Sequence, residues 1–166
     1  MNKLKQIMDK VLSAVCCILF AAMVVIAVWQ VASRYVLGNP SSISEELLTY
    51  SFAWMAMFSA TLVFGQRDHM CLSYFADKLA PRRKLWLDLL IEGIIFVFAV
   101  LVLIYGGISI SSLEMIQTTP TLRVSMGYIY SIMPVCGALI AVYAVIHMVN
   151  LYQEIRRSGV EEDKKI

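Results

Sequence analysis

Three groups of residues in this 166-residue chain have types and spacings that could do chemistry. Lys84, Asp88 and Glu92 recur every four residues, so on a helix they share a face and can form a charge ladder. Glu92 falls about 10 Å inside an apolar run that starts near Leu85, counting ~1.5 Å per residue. An acid at that depth is a candidate proton or cation site. The structural reading is the stronger one, because a basic segment lies close by and a helix N-terminus favours acids. His69 and His147 each follow a long apolar run and could hold a haem between helices. With no further signature around them, interfacial hydrogen bonding is the favoured role. Arg34 and the Glu45/Glu46 pair flank one short connection and could bridge two helix ends, an exposed contact worth under ~1 kcal/mol.

Other chemistries are excluded by what the sequence lacks. Cys16, Cys17, Cys71 and Cys136 form no C-x-x-C pair, which argues against a disulfide framework or a zinc site. There is no P-loop, H-E-x-x-H, G-x-S-x-G or dinucleotide fingerprint. The expectation is a protein with no catalytic residue, no cofactor and no metal, and a formal charge of +2 gives no reason to expect nucleic acid.

The elements that position these residues are written in the hydropathy. At 60% hydrophobic and 16% charged, the composition is that of a membrane protein. The expected fold class is an all-α integral membrane protein, one membrane domain over 1–166, with four transmembrane helices plus a short interfacial amphipathic helix. The helices are placed at about 11–33, 44–65, 85–108 and 127–152, the interfacial helix at about 70–80, ended by Pro81, and a disordered tail at about 157–166. The first run is long for a signal peptide and lacks a small-residue cleavage site, so it reads as a retained helix. Twelve of the fourteen Lys and Arg lie in the N-terminus, the 66–84 segment and the tail, against Arg34 and Arg123 in the other two connections. The positive-inside rule then puts both termini in the cytoplasm and those two connections outside.

The second helix is the best marked. Ser42 and Glu45 have capping-box spacing, predicting a start near Ser44. Thr49, Ala53, Ala56 and Ala60 make a small-residue seam beside an aromatic ridge of Tyr50, Trp54 and Phe58. A second seam, Gly137, Ala141 and Ala144, follows Pro134, which should kink the fourth helix. Small seams allow the close van der Waals packing that drives helix association in lipid, so both seams and the ridge are candidate subunit interfaces.

The order Arg34-Tyr35, Glu45-Glu46-Leu47, Phe52-x-Trp54, Arg67-x-His69, Pro81 and Pro134 resembles the small, DctQ-type membrane subunit of tripartite ATP-independent periplasmic (TRAP) transporters. Ile43 stands where the family usually has Trp, and Ser59 where it has Gly. The resemblance implies a bacterial inner-membrane protein that braces a large multi-helix permease. That permease would drive sodium-coupled uptake of an organic acid, sialic acid or a C4-dicarboxylate, delivered by a periplasmic substrate-binding protein. Asn39, Ser41, Ser42, Glu114 and Arg123 in the outer connections are then candidates for transient contact with that soluble protein, and membrane lipid surrounds the rest. Two other classes compete: a homo-oligomeric small exporter working through Glu92, and a haem-binding redox subunit using His69 and His147.

Overall fold

The computed structural model describes residues 2–36, 38, 41–66 and 81–163. Helix α1 (Asn2–Tyr35) is followed by α2 (Ser42–Gln66) and α3 (Pro81–Phe98). Without a break, α3 passes through a π-helical stretch, Ala99–Gly106, into α4 (Gly107–Leu113). A loop leads to the single turn α5 (Met126–Tyr130) and the long α6 (Ile132–Asp163). Four stretches are long and apolar enough to cross a bilayer: Lys5–Tyr35, Ser42–Gln66, Trp86–Leu113 and Met126–Gln153. Among the described residues the only β-type pairing is an isolated bridge between Thr118 and Ser125.

The last span is the hub. In its most apolar window 44% of residues are buried, against 6% in each of the other three. Its inward residues, Ile132, Cys136, Ile140, Tyr143, His147 and Leu151, recur at spacings of three and four, giving one continuous stripe. Against that stripe pack α2, α3 and the π-helical stretch, while α1 packs chiefly on α2. Much of the surface of α1 therefore stays uncovered by the chain, and Ile18, Phe20, Val25 and Val28 are exposed. In a bilayer such a face meets lipid tails or another helix, and it carries no penalty there.

Glycine determines where backbones meet. A Cβ on Gly137 would sit 2.7 Å from Leu103 Cβ, and one on Gly107 would sit 2.8 Å from Pro134 Cδ. The π-helical stretch and α6 thus touch nearly backbone to backbone. Pro134 offers no N–H to Tyr130 and its ring crowds that carbonyl. The helix accordingly interrupts at Ser131, dividing α5 from α6.

Several boundaries differ from expectation. Helix α1 begins at Asn2 instead of near Val11, because the Lys-bearing start contains no helix breaker and simply continues the apolar helix out of the membrane. Helix α2 begins at Ser42, with Ser41 in the capping position given to Ser42. Ser41 Oγ accepts the Ser44 N–H at 3.4 Å and the Ser44 hydroxyl at 2.9 Å. The third span runs to Leu113, past Gly106 and Gly107, since these glycines provide close approach and do not terminate the helix. Helix α6 extends to Asp163, through part of the tail expected to be disordered. The interfacial helix at 70–80 lies outside the described residues.

Candidate functional site

Polar side chains gather at the two ends of the bundle. At the end carrying the 36–41 and 114–125 connections, the organising residue is Glu46. Its Oε2 accepts the backbone N–H groups of Thr121 at 3.0 Å and Leu122 at 2.9 Å, while Oε1 accepts the Tyr50 hydroxyl at 3.0 Å. A carboxylate is acceptor-only and has lone pairs for all three bonds. Helix α2 places Tyr50 one turn after Glu46, so the phenol fixes the carboxylate in the orientation the loop requires.

The loop it holds is itself compact. Thr119 is almost fully buried, its N–H donates to the Val124 carbonyl at 2.9 Å, and its Oγ1 accepts the Val124 N–H at 3.1 Å. Met126 N–H donates to the Gln117 carbonyl at 2.9 Å. Arg123 sits exposed at the turn with φ +54°, a left-handed conformation that non-glycine residues seldom adopt. At the base of the loop, Ser111 Oγ donates to the Gly127 carbonyl at 2.6 Å. Further down α2, the Trp54 indole N–H donates to the Ile129 carbonyl at 3.1 Å, tying α2 to α5 beside the Pro134 interruption.

At the opposite end, α6 makes two polar contacts one turn apart. The Tyr143 hydroxyl donates to Asp9 Oδ1 in α1 at 2.6 Å. His147 Nδ1 lies 3.0 Å from Glu92 Oε1 in α3, both residues being buried. The separation is that of a hydrogen bond, whichever of the two atoms carries the proton. Glu92, the acid singled out from sequence, therefore engages His147. The ladder to Lys84 and the role of His69 lie outside the described side chains.

The structure divides the expected interface residues. Ala53, Ala56 and Ala60 are exposed along α2, whereas Tyr50, Trp54 and Phe58 are half-buried, the first two bonded within the chain. Gly137 and Ala144 are buried against the chain's own helices, and Ala141 is half-buried. Arg34 and Glu45 are both exposed, and among the described residues no ion pair joins Arg34 to Glu45 or Glu46. Of the remaining connection residues, Ser42 and Arg123 are exposed, Ser41 and Glu114 half-buried, and Asn39 lies outside the described residues. The coupling of Glu46 to the loop, and of Tyr143 to Asp9, has no local sequence signature. The partners are separated by 75 and 134 positions respectively.

Between α1 and α2 lies an open groove of about 440 Å³, lined by Phe20, Met23, Val24, Ala27, Leu48, Thr49 and Phe52. No group of three or more His, Cys, Asp or Glu among the described residues is arranged to hold a metal.

Comparison with known proteins supplies the context for this arrangement. The profile of the family described as tripartite ATP-independent periplasmic transporters, DctQ component, matches residues 23–154. The chain is 27% identical over 106 residues to the sialic acid TRAP transporter small permease protein SiaQ of Vibrio cholerae, covering 64% of this chain and 61% of that protein. It is 24% identical over 161 residues to a Haemophilus influenzae protein named as a TRAP transporter small permease, covering 97% of this chain and 99% of the relative. A family profile spanning most of the chain, four spans of the right length and bundle ends cross-linked by Glu46 and Tyr143 agree with one another: this chain is a multi-pass membrane protein and belongs to the DctQ component family of TRAP transporters.

Proposed function

We propose that the chain is the small, non-catalytic subunit of a TRAP transporter, and that it scaffolds the large permease subunit in the inner membrane. The observation that carries this reading is the contrast between the spans: α6 is the well-buried hub, while in the other three few residues are fully buried and much apolar surface stays open. A solute path for an anion needs buried donors near the midplane. Here the carboxylates Asp9, Glu46 and Glu92 are each engaged inside the chain, near the ends of the spans. Exposed small residues, Ala53, Ala56 and Ala60, provide a face on which another helix can pack closely. Both termini are cytoplasmic in this reading, supported by the twelve-to-two distribution of basic residues, and the Glu46-held loop faces the periplasm. There the exposed turn at Arg123 is the candidate contact for a substrate-binding protein, a reading supported by its exposure at the tip of the loop. The substrate class is an organic acid taken up with sodium. Sialic acid is favoured over a C4-dicarboxylate by the name of the Vibrio cholerae relative.

The test is purification of the tagged chain in mild detergent after expression with its neighbouring genes. Stoichiometric recovery of a large multi-helix subunit is the expected outcome. Recovery as a homo-oligomer alone would overturn the scaffold reading in favour of a small exporter. Reconstituted uptake, with and without a sodium gradient and the soluble protein, then decides between sialic acid and C4-dicarboxylates.

A further inference from the structure

We propose that the groove between α1 and α2 is a binding site for one phospholipid with an amine headgroup. Its acyl chain lies in the groove, its phosphate on Arg34 and its ammonium on Glu45.

The helical register carries the argument. On α1 the groove residues Phe20, Val24 and Ala27 belong to a stripe that continues through Val31 to Arg34, at spacings of four, three, four and three. On α2 the corresponding stripe runs back from Phe52 through Leu48 to Glu45, at spacings of four and three. One cation and one anion therefore stand at the same end of an otherwise apolar channel. Both are exposed, and among the described residues neither makes an ion pair. Thr49, the sole polar residue of the wall, donates its hydroxyl to the Glu45 carbonyl at 3.0 Å and so offers the groove little polarity.

The depth also fits. The apolar run of α1, residues 11–33, is centred on Ala22, and Arg34 lies twelve residues further on, roughly 18 Å along the axis. Half of a hydrocarbon core is about 15 Å and half of a bilayer with its headgroups about 20–22 Å, so Arg34 reaches phosphate level. A partner helix fits less well. At ~10 Å diameter and ~5.4 Å per turn, the groove's volume of about 440 Å³ would house roughly one turn. Glu45, at the same end of the channel as Arg34, disfavours a headgroup of net negative charge and favours one that presents both signs. The site requires only that the chain sit in a bilayer, so it stands independently of the scaffold reading.

The experiment is native mass spectrometry of the full chain, delipidated and titrated separately with dioleoyl phosphatidylethanolamine and dioleoyl phosphatidylglycerol. Wild type is expected to bind one phosphatidylethanolamine about tenfold more tightly than phosphatidylglycerol, the effect of one charge-assisted hydrogen bond. Arg34→Gln lowers that binding about tenfold and Arg34→Lys restores most of it, as a charge contact requires. Glu45→Gln removes the discrimination between the two lipids, and Ala27→Trp, which fills the groove, weakens both. All four substitutions lie on exposed or groove-lining positions, and elution volume with circular dichroism checks that each variant keeps its fold. Equal affinity of wild type for the two lipids would overturn the proposal. So would binding unaffected by Arg34→Gln and Ala27→Trp, or a cysteine at position 27 that cross-links to another polypeptide in the native membrane.

Discussion

The hydroxyl of Tyr143 in α6 donates to Asp9 Oδ1 in α1 at 2.6 Å, one helical turn before His147 meets Glu92 in α3. Neighbouring turns of the hub thus hold the two flanking helices by polar contacts, in a part of the bundle where apolar surface alone gives no preference between lipid and protein. Because α1 packs mainly on α2, the Asp9 contact is what fixes the N-terminal end of α1 to the hub. Tyr143→Phe removes only the donor and should lower stability by about 1 kcal/mol, near the usual value for an interhelical hydrogen bond in a membrane. Asp9→Asn keeps an acceptor and should restore most of the loss expected for Asp9→Leu. Thermal unfolding in detergent, read by intrinsic fluorescence, ranks the three variants.

Gly65 faces the same tyrosine. A Cβ there would lie 2.7 Å from Tyr143 Cζ, within the ring and not at the end of a flexible chain. Gly65→Ala must therefore push α2 away from α6, at a cost of about 1–3 kcal/mol. Gly93, in α3, has nothing within 4 Å of the position a Cβ would take. Gly93→Ala gains helix propensity of up to ~1 kcal/mol and should be neutral or stabilising. Opposite signs for the same substitution, measured by the same melt, are the expected result, and equal losses would mean that α2 and α6 do not approach as described.

Glu46 accepts two loop N–H groups through one oxygen, so its loss affects a segment 75 residues away. Glu46→Gln leaves one acceptor oxygen and substitutes an amide donor for the other, which cannot reproduce the three-bond arrangement. Hydrogen exchange at Thr121 and Leu122 should accelerate by about tenfold, while amides in α6 remain protected. Unchanged exchange in the loop would show that its internal bonds around Thr119 suffice.

The spans were legible because a bilayer demands long apolar helices, a requirement that leaves a local mark in the sequence. The positions of Pro134 and of the small seams were legible for the same reason. What the helices do with those residues was not. Gly137 and Ala141 have the same spacing as Ala56 and Ala60, yet Gly137 is buried beneath Leu103 and Ile104 while Ala56 and Ala60 face outward. Orientation within a bundle depends on pairings between distant segments, and apolar residues facing lipid are indistinguishable in type from those facing protein. The aromatic ridge shows the same effect: Trp54 turns inward because its N–H finds the Ile129 carbonyl, a partner that periodicity along α2 does not reveal. Glu46 was marked as a helix-end charge, and its loop partners are backbone groups, which every sequence has.

The exposed seam of α2 gives a prediction that separates assembly from folding. Ala56 and Ala60 are exposed, so Ala56→Leu and Ala60→Leu should leave the melting of the isolated chain within about 0.5 kcal/mol of wild type. If the large subunit packs there, the added side chains hold the two backbones apart, and recovery of the large subunit with the tagged chain should fall sharply. Ala144→Leu is the counterpart, because Ala144 is 2% exposed and enlargement there overpacks the chain itself, at about 1–3 kcal/mol. Its loss of recovery should therefore track its loss of stability, whereas that of the seam variants should not. Full recovery with both seam variants would move the docking face to the exposed side of α1, where Ile18, Val25 and Val28 form the next candidate surface.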